Sequence, residues 1–234
     1  MSIAENIAGI QQRIAAAAQR AGRKPEDVQL MAVSKTFPGP AITEAHAAGL
    51  RLFGENRVQE FAGKSWDVKN LDGIQFHLIG HLQSNKAPRA VELFDGIDSV
   101  DSLKLAEKIN AMAGRMRKRL PVLLEINIGS EGQKAGLAPD SPELEQLLAA
   151  APKLAALAVR GLMAIPPHTD DPEGARPYFR RLRELRDSIR ARNLPGVAMD
   201  TLSVGMSHDF EVAIEEGSTC VRLGTAIFGE RPKR

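Results

Sequence analysis

Ile3, Ile7, Ile10 and Ile14 recur at intervals of four, three and four, one face of an amphipathic helix at the start of the chain. After it, short apolar runs alternate with helical patterns. Val28 to Val33 reads as a buried strand, and Pro40 to Gly49 as a helix. Leu52-Phe53 makes a short second strand, followed by a helix from about Arg57. Phe76 to Ile79 is the third strand, with a helix after Asn85, and Phe94 to Val100 is a weaker fourth. Ser102 caps a long helix to about Arg117, Pro121 to Ile128 is the clearest strand, and Ser141-Pro142 opens the next helix as N-cap and first helical residue. Val159 to Ile165 is a sixth strand, and a helix carrying Phe179, Leu182, Leu185 and Ile189 runs from Pro172 or Glu173 to Arg192. Thr201 to Val204 is the seventh strand, His208 to Glu216 a helix, and Cys220 to Leu223 the eighth strand, with a last short helix near Thr225.

Eight strands alternating with helices predict an α/β fold: a single (β/α)8 TIM barrel with an additional N-terminal helix, in one domain over residues 1–234. The runner-up is a doubly wound open sheet. It lacks the expected glycine-rich first turn, since no G-x-G-x-x-G follows the first strand. Gly63-Lys64-Ser65 echoes a phosphate loop, but Val58 stands where that loop needs its first glycine.

Composition narrows the classes. Hydrophobic residues make up 43% of the chain, enough for a sizeable core. The net charge of +2 and 4% aromatics argue against a nucleic-acid surface. No apolar run approaches the roughly 18 residues of a membrane span. Glu5, Gln11, Gln12 and Arg13 interrupt any signal-peptide core. The lone Cys220, in an apolar run, reads as a buried strand thiol and fits a reducing compartment. A cytoplasmic protein without membrane or nucleic-acid partners is the expectation.

In parallel barrels the working groups sit at the C-terminal strand ends and in the loops that follow. Lys35 closes the first strand there. A lysine desolvated at a barrel mouth has a lowered pKa and attacks carbonyls as a neutral amine. Ser203-Val-Gly-Met-Ser207 follows the seventh strand and Arg222-Leu-Gly224-Thr225 ends the eighth, the loops that often hold phosphate. Ser207 reads as a helix N-cap whose hydroxyl could instead face the anion. If Val221 and Leu223 face the helices, Arg222 points into the barrel. It then needs an acceptor or a charge partner, either a ligand ring nitrogen or one of Glu55, Asp200 and Glu125. The histidines are too scattered for a metal site. His77 reads as a satisfied strand residue, and His81 as the better functional candidate.

These residues resemble the pyridoxal 5′-phosphate (PLP) homeostasis protein family along nearly the whole chain. The motifs are Ala32-Val-Ser-Lys35, Phe53-Gly-Glu-Asn-Arg-Val-Gln-Glu60, His77-Leu-Ile-Gly-His-Leu-Gln83, Gly161-Leu-Met163, Ser203 to Phe210 and Gly217 to Gly229. The resemblance implies a fold like the N-terminal barrel of alanine racemase. It implies a PLP Schiff base on Lys35, with Arg222 near the ring nitrogen. Ser207, Gly224 and Thr225 would contact the phosphate, with Ser203 nearby and Asn56 lining the cofactor face. Lys134 resembles a family lysine position that receives PLP transiently; an exposed loop lysine is the other reading.

A barrel racemase needs a base on each face of its substrate. The only tyrosine, Tyr178, falls in an outer helix, and the chain ends soon after the eighth strand. Three readings follow. The first is a non-catalytic, monomeric PLP carrier and homeostasis protein that buffers PLP or hands it to apo PLP-dependent enzymes, with indirect effects on amino- and keto-acid metabolism. The second is a PLP-dependent racemase-like enzyme using His81, His208 or a partner subunit as second base. The third is a lysine Schiff-base aldolase acting on a phosphorylated substrate.

Overall fold

A computed structural model describes residues 2–129 and 135–230. Its eight parallel strands close into a barrel in sequence order: β1 (Gln29–Val33), β2 (Leu52–Glu55), β3 (Gln75–Leu78), β4 (Gly96–Val100), β5 (Leu120–Glu125), β6 (Leu157–Met163), β7 (Val197–Ser203) and β8 (Cys220–Leu223). β8 pairs with β1 over Gln29 to Ala32, so no edge is left open. The expected (β/α)8 barrel is found, not the open sheet.

The first helix, α1 (Ile3–Arg20), begins with a capping box. Ser2 Oγ accepts from the Glu5 amide at 3.2 Å, and the Ser2 amide donates back to Glu5 Oε2 at 2.8 Å. Its isoleucine face is buried at Ile7, Ile10 and Ile14, each contributing about 2 kcal/mol. That face packs on α8 (Phe210–Glu215) and α9 (Thr225–Phe228), next to the β8–β1 seam.

The remaining helices are α2 (Gly39–Ala47), α3 (Val58–Val68), α4 (Ala87–Leu93), α5 (Leu103–Arg115), α6 (Pro142–Ala150) and α7 (Arg176–Ala191). Ser102 and Ser141 cap α5 and α6 as the sequence predicts. Between strands and helices lies one large apolar core, in which Phe61 of α3 meets Phe76 and Phe94 at ring separations of 4.4 and 4.9 Å. Inside the barrel a smaller cluster joins Met31, Val33, Ile79 and Cys220. Val221 and Leu223 belong to the outer core, so strand alternation turns Cys220 and Arg222 inward.

Several boundaries differ from the sequence pattern. β5 ends at Glu125, because the backbone then turns to bridge Ile126 with Leu137. β7 starts at Val197, four residues earlier than its alternation suggests. Met199 adopts a left-handed φ of 54°, and the β6–β7 register shifts between Val159 and Gly161, breaking the period of two. Residues Pro172–Ala175 form a 3-10 turn ahead of α7.

Candidate functional site

At the C-terminal ends of the strands lies a cavity of about 530 Å³. Lys35, Asn56, Ser207, Arg222, Gly224 and Thr225 all line it. The loops after β1, β2, β7 and β8, with Arg222 of β8 itself, thus bring together six of the seven residues expected from sequence. The seventh, Ser203, is fully buried behind the wall and supports Arg222.

Lys35 is half-buried on the turn after β1. That turn is bent, with Thr36 at φ 68°, a conformation costly for a β-branched residue. Buried polar groups hold it in place. Lys64 Nζ donates to the carbonyl oxygens of Ser34 (2.9 Å) and Phe37 (3.0 Å) and pairs with Glu55 Oε1 at 2.8 Å. Ser34 Oγ donates to the same Glu55 oxygen at 2.6 Å, and Glu60 accepts from the Thr36 amide. Burial raises the Glu55 pKa, against the lowering effect of Lys64. Lys64 is therefore a clamp under the Lys35 turn.

Arg222 is 4% exposed. One terminal nitrogen donates to the Ser203 carbonyl (2.6 Å) and Ser203 Oγ (2.8 Å), and the other to the Ala164 carbonyl (2.8 Å). None of the three carboxylates weighed from sequence pairs with it. Glu55 is taken by Lys64 and Asp200 by Arg160, while Glu125 acts on Arg222 only through its field. Burial lowers the pKa of Arg222, but a guanidinium stays charged in proteins. The carbonyls fix its plane while leaving N–H groups for the cavity.

Ser207 is not the expected N-cap. Asp209 occupies that position, and its Oδ1 accepts from the Met206 amide at 2.7 Å. Ser207 instead accepts from Thr225 Oγ1 at 3.4 Å, joining the loops after β7 and β8. A Cβ on Gly224 would come within 3.3 Å of the Val33 carbonyl, so the small residue keeps this wall thin.

Asn56 Oδ1 is buried without a hydrogen-bond partner among the described residues. A Cβ on Gly80 would lie 2.2 Å from the Asn56 carbonyl, so glycine there lets the two loops touch.

Sequence reasoning did not place His168 and Ile165 at this cavity. His168 and Ile165 sit on the loop after β6, whose residues carry no periodic signal. Glu125, at the end of β5, carries no sequence signal beyond that of a partner for Arg222. It is 9% exposed, its Oε2 has no partner among the described residues, and burial together with Asp101 raises its pKa to about 7.

His81 is exposed at the mouth and pairs with Asp101 at 3.2 Å. His77 is satisfied by Asp98 at 2.9 Å, as expected. Burial opposes its charge, but Asp98 and Asp95 outweigh this and raise its pKa. Lys134 lies outside the described residues. No group of three metal-ligating side chains occurs among the described residues, and no described helix is long and apolar enough to cross a membrane.

The cavity fits a small phosphorylated aldehyde. Among the described residues, its ionisable lining consists of Lys35, His168, His208 and Arg222, with no carboxylate. It combines an amine, a buried guanidinium and two hydroxyls within a volume typical of cofactor sites.

Comparison with known proteins agrees with this geometry. Residues 6–232 match the family described as alanine racemase, N-terminal domain. A pyridoxal phosphate homeostasis protein of Aquifex aeolicus is 44% identical over 231 residues, covering 99% of each chain. One from Pseudomonas aeruginosa is 46% identical over 230 residues, covering 98% of this chain and 96% of that one. The structure of PipY from Synechococcus elongatus, with PLP bound, superimposes with a TM-score of 0.84 at 38% identity, over 97% of this chain and all of the other. With its barrel, its motifs and 44–46% identity to these relatives over nearly the full length, the chain belongs to the pyridoxal phosphate homeostasis protein family.

Proposed function

We propose that this chain is a pyridoxal 5′-phosphate binding and homeostasis protein, holding the cofactor covalently on Lys35 and buffering or delivering it. The observation that carries this reading is the convergence of Lys35, Asn56, Ser207, Arg222, Gly224 and Thr225 on one cavity. When bound, the cofactor supplies an aldehyde for reversible Schiff-base formation and a ring that can accept electrons. Lys35 provides the amine. Ser207, Thr225 and the Gly224 backbone would hold the phosphate, and Asn56 would line the cofactor face. Arg222, oriented by Ser203 and Ala164, offers donors and no acceptor, so a ring nitrogen held beside it would stay unprotonated and draw electrons weakly.

That electrostatic setting supports a carrier rather than a catalyst. Tyr178 lies on α7 and does not line the cavity, so it supplies no second base there. Names built on pyridoxal phosphate among the relatives favour the cofactor over a cofactor-free aldolase. In this reading residues 1–234 act as one domain, monomeric and cytoplasmic, with apo PLP-dependent enzymes as recipients.

The test is titration of the apo-protein with PLP. Wild type gains a visible Schiff-base band that borohydride bleaches, and Lys35→Ala does not. In deuterated water with single L-amino acids, the carrier leaves the Cα hydrogen in place. Rapid Lys35-dependent exchange or inversion would instead establish a racemase-like enzyme.

A further inference from the structure

His168 and His208 come from different loops, after β6 and after β7, yet their rings stand 5.8 Å apart at the cavity that Ser207 and Thr225 line. His208 Nε2 lies 3.0 Å from the Asp170 carbonyl oxygen. A carbonyl only accepts, so this nitrogen carries a proton in the neutral ring, and a second proton must enter at Nδ1. We propose that His168 and His208 form a protonation-dependent half of the phosphate site, so that the protein grips a phosphate monoester more tightly as pH falls. This rests on the reading of the cavity as a phosphate-bearing cofactor site.

Histidine changes charge between about pH 5 and 8. Two neighbouring imidazolium ions repel each other, and an anion seated beside both offsets that repulsion. A phosphate dianion also attracts each protonated ring directly, so anion binding and proton uptake favour one another. The surrounding charges are consistent with this coupling. Lys35 on the β1 turn and Arg222 on β8 share the cavity and favour an anion. Asp171, on the His168 loop, is engaged through Oδ1 with the Glu173 amide. Asp209, ahead of α8, is buried and accepts from Met206. Glu211 of α8 pairs with Arg13. Asp170 holds His208 through its backbone carbonyl. Ser207 and Thr225 alone would give a phosphate site with little pH dependence of its own. The histidine pair gives one that loosens as pH rises through the physiological range.

The test uses the full chain. Ring proton resonances of the five histidines are followed by NMR from pH 5 to 9, with and without inorganic phosphate. Both His168 and His208 should titrate at higher pH when phosphate is present, with His46, on the outer helix α2, as an unaffected control. A one-unit rise corresponds to about tenfold tighter binding of the anion to the protonated ring. In parallel, PLP affinity is measured at pH 6 and pH 8 in wild type and in His168→Gln/His208→Gln, with unphosphorylated pyridoxal as control. PLP binding should weaken between those pH values about tenfold more in wild type than in the double variant, and pyridoxal should show no such difference. Unchanged titration of either ring with phosphate, or identical PLP profiles in the two proteins, overturns the proposal. Absence of a Lys35 adduct at every pH would overturn the cofactor reading instead, and the phosphate titration would still decide the role of the pair.

Discussion

Lys64 Nζ sits 2.8 Å from Glu55 Oε1, and the pair supports the turn that carries Lys35. A sequence segment that mimics a phosphate loop thus serves a different purpose, since Lys64 spends its donors on the Ser34 and Phe37 carbonyls. Lys64→Met leaves Glu55 buried without its cation. Such a break typically costs about 3 kcal/mol or more. Urea unfolding should show this loss, and PLP affinity should fall because the Lys35 turn loosens.

Glu125 gives a pH signature. Its pKa stands at about 7 against an ordinary 4.5, first through burial and then through Asp101. Between those values the folded chain keeps a proton that the unfolded chain has lost, so its contribution to stability falls as pH rises through this window. Glu125→Gln should match wild type near pH 4 and exceed it at pH 8 by about 3 kcal/mol, the worth of that shift. Denaturation midpoints across pH 4 to 8 measure the difference.

How far the sequence was legible depends on the chemistry of each segment. Strand and helix alternation was clear wherever apolar period and turn residues agreed, as at β1, β3 and β8. The first half of β7 was hidden, because Met199 takes a left-handed backbone and Asp200 points to Arg160 outside. At β5, Ile126 and Ile128 continue the alternation past the strand's true end. The site residues on strand ends were legible from position and motif. The clamp at Lys64 and the pairing of His168 with His208 depend on contacts between distant segments, which no local pattern encodes.

Gly161 and Gly80 illustrate close approaches of that kind. A Cβ on Gly161 would lie 1.7 Å from the Thr201 carbonyl oxygen, so Gly161→Ala must separate β6 from β7. A destabilisation of about 3 kcal/mol is expected by thermal or chemical unfolding. Gly80→Ala displaces Asn56 and should weaken PLP binding more than it weakens the fold.

Cys220 is 2% exposed inside the barrel, and burial pushes its thiol up to about 12. A thiol so protonated and enclosed is a poor nucleophile. It should resist a thiol reagent such as Ellman's in the native protein at pH 8 and react fully once denaturant is added.

The most direct test of Lys35 as the cofactor lysine is borohydride reduction of the PLP-loaded protein, followed by peptide mapping by mass spectrometry. The phosphopyridoxyl group should appear on Lys35 at near-stoichiometric yield. An unmodified Lys35 with the label on another lysine, or no label at all, would contradict it.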